Sequence, residues 1–182
     1  MTIMKHMFSI FLYLPMIFLV FSCSSGDGNL SEEGNQKEVQ GTIRLSGEET
    51  SELGETLKVG NIEVANATLS GTDKSIILLS ENITVVDNEF VYSDDQNGFV
   101  IVAADFSAGG SPDVDKTVSM TIVRNGEEFR HACTSPYLSF FTDCGEGFAV
   151  DFEGKKVTFE NTTVINTEDE AILTLDGTVT WE

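Results

Sequence analysis

From residue 38 to the end, apolar and polar residues alternate with a period of two. Val39, Gly41, Ile43 and Leu45 interleave with Gln40, Thr42 and Arg44, while Leu173, Leu175, Gly177, Val179 and Trp181 interleave with Thr174, Asp176, Thr178 and Thr180. Successive side chains of a strand point to opposite faces, so each run predicts a strand with one face in the core. Asp176-Gly177 has the composition of a two-residue hairpin turn. A turn there would pair Leu173 with Thr180 and Leu175 with Thr178, mixing apolar and polar positions on one face, so one unbroken C-terminal strand is predicted.

Two other turn signals pass the same register test. A type I′ turn at Asn125-Gly126 pairs Arg124 with Glu127, Ile122 with Phe129, Met120 with His131 and Val118 with Cys133 on one face, and Thr121 with Arg130 on the other. A turn around Glu153-Gly154 sets Phe148 against Phe159 and Val150 against Val157, with Asp151 opposite Lys156 outside. A third hairpin is predicted through Asp94-Asp95-Gln96-Asn97-Gly98. The run Phe99 to Ala104 that follows is apolar on both faces and belongs in the middle of a sheet. Shorter strand-like runs cover Leu57 to Val59, Ile62 to Leu69, Ser75 to Ser80 and Glu89 to Tyr92, and no window of ten or more residues carries a 3.6 period. Roughly ten strands, short turns and no crossover helices predict an all-β chain. The economical architecture is an antiparallel β-sandwich over 38–182 as a single domain, with a small β-barrel as the alternative.

The N-terminal stretch has a different grammar. Lys5 precedes the uncharged run Phe8 to Ser22, fifteen residues that would rise only about 22 Å as a helix, short of a bilayer core, and Pro15 interrupts them. A charged start followed by a short apolar run is the layout of a signal peptide. At its end, Val20-Phe21-Ser22-Cys23 resembles the lipobox of bacterial lipoproteins. The resemblance implies that 1–22 is removed, that Cys23 becomes the first residue and carries acyl chains such as palmitate, and that Ser24 after the cysteine directs the protein to the outer membrane. Residues 23–37 then form the lipidated cysteine and a flexible, acidic, Gly/Ser-rich tether. The expected location is exported and membrane-anchored, facing the periplasm or the cell exterior.

Charge narrows the partners. The 182 residues carry ten Lys plus Arg against thirty Asp plus Glu, a net charge of −20. Removal of 1–22 takes Lys5 with it and leaves nine bases against thirty acids, a charge of −21. Nucleic acid is excluded as a partner, because binding a polyphosphate requires Lys and Arg to displace its counterions. The membrane is reached through the acyl chains, and an envelope protein or a glycan remains as a further partner.

Cysteine usage agrees with export. With Cys23 assigned to lipid, Cys133 and Cys144 are an even pair in an oxidising compartment, and a disulfide between them is predicted. Their ten intervening residues do not have redox C-x-x-C spacing, and one histidine beyond the signal segment is too few for a zinc site.

Catalytic constellations are missing. His131 shares a face with Phe129 and Cys133 and reads as a packed core or boundary histidine; G-x-S-x-G, P-loop and H-E-x-x-H motifs do not occur. Thirty carboxylates could supply an acid/base pair for a hydrolase, but nothing singles one out. Two features could carry binding. Tyr137, Leu138, Phe140 and Phe141 concentrate apolar surface inside the proposed disulfide loop, where they either meet a partner or fold back and plug the open end of the sandwich, the preferred expectation. Asp94, Asp95, Asp113 and Asp115 are weak candidates for calcium, since none fits the twelve-residue calcium loop and solvated turns explain them; no cofactor is expected. The chain therefore reads as a lipid-anchored β-domain with a non-enzymatic interaction or structural role. The alternative is a glycan-, lipid- or calcium-binding module.

Overall fold

The computed structural model describes residues 38–107 and 113–182. The expected signal segment 1–22, Cys23 with the expected tether to residue 37, and the Gly109-Gly110-Ser111-Pro112 loop lie outside the described residues. The chain divides into Met1–Glu33 and Gly34–Glu182, and the fold is that of the second unit.

Its elements are β1 (Val39–Gly47), the helical turn α1 (Thr50–Leu53), β2 (Thr56–Lys58), β3 (Asn61–Val64), the helical turn α2 (Ala67–Ser70), β4 (Ser75–Leu79), β5 (Ile83–Val86), β6 (Glu89–Tyr92), β7 (Asn97–Asp105), β8 (Lys116–Arg124), β9 (Glu127–Ser135), β10 (Ala149–Asp151), β11 (Lys156–Asn166) and β12 (Ile172–Trp181). The all-β class is as expected. One antiparallel sheet runs β2-β1-β12-β11-β9-β8-β7-β4-β3, with β10 alongside β11, and β5 and β6 pair separately.

The sheet curls into a half-barrel, so the two facing layers of the expected sandwich are halves of one sheet. The halves meet at a narrow seam, where β11 and β9 pair only through Ile165 with Ala132 and Asn166 with His131. The two edge strands also approach each other, because only Val59 and Gly60 separate β2 from β3. Val59 N donates to Gly41 O on one edge and Gly60 N to Leu79 O on the other. Between the halves lies one core, in which Ile43, Phe159, Leu175 and Trp181 from one side meet Ile76, Ile101, Met120 and Ile122 from the other.

The predicted registers recur in the pairing. β8 and β9 match Arg124 with Glu127, Ile122 with Phe129, Met120 with His131 and Val118 with Cys133. Asn125 and Gly126 both have positive φ, as a type I′ turn requires. β10 and β11 match Val150 with Val157 and Asp151 with Lys156, and the Phe148 and Phe159 rings stack at 5.6 Å. β12 is unbroken. Asp176 faces a bulge in β11 and its Oδ1 accepts from Asn161 N at 2.8 Å, while Gly177 meets the backbone of β1 so closely that a Cβ would sit 2.5 Å from Thr42 O. The Asp-Gly pair therefore marks a bulge and a close crossing.

Two expectations fail. The Asp94–Gly98 turn joins no hairpin, because β6 pairs with β5 and β7 pairs with β4 and β8. β4 is apolar on both faces, as is β7: their inner side chains Ile76, Leu78, Ile101 and Ala103 join the core between the halves, while β5 and β6 cover Ile77, Leu79, Val100 and Val102 outside. The run to Leu69 ends early: it breaks at Ala65, which has φ 56°, and Leu69 sits in α2, where Asn66 Oδ1 accepts from Leu69 N.

Candidate functional site

Three places concentrate polar or apolar side chains that a simple sheet does not need. The first is the connection from β9 to β10. Cys133 and Cys144 are joined by the predicted disulfide, with Cα atoms 5.0 Å apart. Thr134 N donates to Thr142 O, and Asp143 Oδ1 accepts from Ser135 Oγ and Gly145 N, each at 2.8 Å. The Gly145 amide and the Ser135 hydroxyl hold the Asp143 carboxyl below its ordinary value. The covalent and hydrogen-bonded closures leave little freedom at the loop's base.

Its tip does not plug the barrel, contrary to the preferred expectation. Tyr137 and Phe140 are each 63% exposed and Leu138 is 46% exposed, while the half-buried Phe141 ring packs on Phe140 at 4.3 Å. The open end is already filled from within the sheet, where Phe148, Phe159 and Trp181 are buried, so the loop's rings find no vacancy.

The second place is a groove of about 510 Å³ on the outer face of β7, β8 and β9 beside the β5–β6 pair. Two cross-strand rows make its floor, Val100 with Thr121 and Arg130, and Gly98 with Val123 and Glu128. The Arg130 guanidinium pairs with Glu128, and Tyr92, 48% exposed, stands at the wall. Asp94 and Asp95 line the rim, but their oxygens are used by their own turn: Asp94 accepts from Gln96 N and Asn97 Nδ2, and Asp95 from Gln96 Nε2. Among the described residues, no three His, Cys, Asp or Glu side chains come together in a way that could hold a metal ion, and Asp94, Asp95, Asp113 and Asp115 form no such group.

The third is a buried polar cluster at the seam. His131 is 1% exposed, and its Nε2 donates to Glu49 Oε2 at 2.6 Å. Glu49 Oε1 accepts from Asn166 Nδ2 at 2.7 Å, so one carboxylate bridges the β1–α1 connection to both β9 and β11. His131 Nδ1 has no hydrogen-bond partner. None of the three lines the groove. A general base must reach the proton that it takes, and this imidazole faces the interior.

Sequence reasoning had singled out the loop and placed His131 inward. It missed Glu49 and Asn166, which lie 82 and 35 residues from His131 in a chain rich in surface Glu and Asn, with no periodic signal to distinguish them. It also missed the groove, because the floor joins three strands and one wall is the β5–β6 pair, whose place beside them no local signal gives. No family model, no curated protein and no solved structure matches this chain.

Proposed function

We propose that the protein is a lipid-anchored domain of the cell envelope that acts by non-enzymatic contact through its disulfide-closed aromatic loop. One observation carries the reading: Tyr137, Leu138 and Phe140 are exposed together on a connection tied at its base by Cys133–Cys144. A loop already ordered loses little conformational entropy on binding, so its rings contribute nearly their full burial to a contact. The anchor is drawn from the lipobox-like Val20-Phe21-Ser22-Cys23, and the disulfide agrees with export to an oxidising compartment.

The test has two parts. Metabolic labelling with a tagged fatty acid should mark the wild type and not Cys23→Ala; equal label in both removes the anchor. The triple change Tyr137→Ser, Leu138→Ser and Phe140→Ser should move the melting temperature by no more than about 2 °C, as expected for exposed positions. A loss of several degrees would assign the rings to the core and remove the contact surface.

A further inference from the structure

We propose that Tyr137, Leu138 and Phe140 contact the interfacial layer of a zwitterionic phospholipid bilayer, the same bilayer that holds the acyl chains of Cys23. This deepens the anchor reading above, on which it rests, by naming the partner of the loop.

Placement is the first support. The start of β1 pairs with the end of β12 through Val39 and Trp181, and Thr180 in turn pairs with Lys156 at the start of β11. Following β11 to the seam and then β9 forward shows that Ser135, where the loop begins, points toward this same end. The described chain therefore starts, at Glu38, at the end of the sheet that carries the aromatic loop. Fourteen residues separate Glu38 from Cys23, a reach of at most about 50 Å. An acylated Cys23 therefore keeps this end of the sheet within that distance of the membrane.

Composition is the second. Thr134 to Thr142 contains no charged residue, and Tyr, Leu and Phe on one turn combine an amphipathic ring with purely apolar groups, as interfacial anchors do. Around the loop, Lys74, Lys116, Lys155 and Lys156 lie at this end, half of the eight described bases, yet acids such as Glu38, Asp143, Glu153 and Glu182 surround them. Such a surface offers no net attraction to anionic lipid. The contact is apolar, and the tether supplies the local concentration that makes a weak insertion persist.

The experiment uses the chain from Cys23 onward, which retains every core residue. Cys133 and Cys144 are joined, so Cys23 is its one free thiol and can be coupled to maleimide phospholipid in phosphatidylcholine vesicles, some containing brominated chains. Tryptophan is placed at the loop by Phe140→Trp, or by Leu138→Trp if the first variant folds poorly, and at the opposite tip by Glu127→Trp. The wild type, whose lone Trp181 is buried, supplies the background. The loop tryptophan should shift to shorter wavelength and lose most of its emission to brominated lipid, while that at 127 should not. Equal quenching at both positions, or none at 140, overturns the proposal. Because the lipid is attached chemically, a loop that inserts while cells leave Cys23 unlabelled would refute the anchor alone, and the reverse result would refute the insertion alone.

Discussion

Glu49 is the residue on which the seam depends. Its carboxylate is nearly out of reach of water, accepts from both His131 and Asn166, and ties together three segments that are distant in sequence. A buried polar group that loses its partner is left with its desolvation cost, about 1–3 kcal/mol, and more for a charged one. Glu49→Ala strands two donors at once and should therefore cost about 3 kcal/mol in urea denaturation. Removing both members of the pair is different. The double variant Glu49→Leu/His131→Phe should be destabilised less than the sum of its single variants, since neither partner is then left unpaired; strict additivity would mean that the two do not act as a pair. Little of this was legible in the sequence. The inward face of His131 followed from its register with Met120, but a carboxylate in Gly47-Glu48-Glu49-Thr50 looks like any solvated turn until the fold closes over it.

At the scale of elements, local turns were legible and partners were not. The hairpin at Asn125-Gly126 is determined by two positive-φ positions and a register that sorts every side chain, all within twenty residues. The β5–β6 pair lacks such a local determinant of its position. It packs where it does because β4 and β7 leave Ile77, Leu79, Val100 and Val102 uncovered, a demand visible only once those strands are paired. Ile83 is 2% exposed beneath that hairpin, whereas Val91 on its outer face is 47% exposed. Ile83→Ala should accordingly cost about 2–4 kcal/mol by chemical denaturation, and Val91→Ser should change stability by less than about 0.5 kcal/mol. Equal effects would mean that the hairpin does not cap the sheet.

For the molecule as a whole, the charge of −20 acts as a self-repulsion that three Lys or Arg ion pairs among the described residues, each between exposed groups, offset only weakly. Raising ionic strength from about 0.01 to about 0.15 M shortens the screening length from about 30 to about 8 Å. The melting temperature should rise over that range; a fall would mean that attractive pairs outweigh the repulsion. By itself, the sequence determined the strand period, the registers of two hairpins, the unbroken final strand and the disulfide, because each follows from neighbours along the chain or from counting. Only the tertiary structure decided that the strands form one curled sheet, that Glu49 and Asn166 meet His131, and that the aromatic loop stays outside. Each of these depends on which surfaces were already filled when distant segments met: Phe148, Phe159 and Trp181 occupy the space that Tyr137 and Phe140 would otherwise have taken.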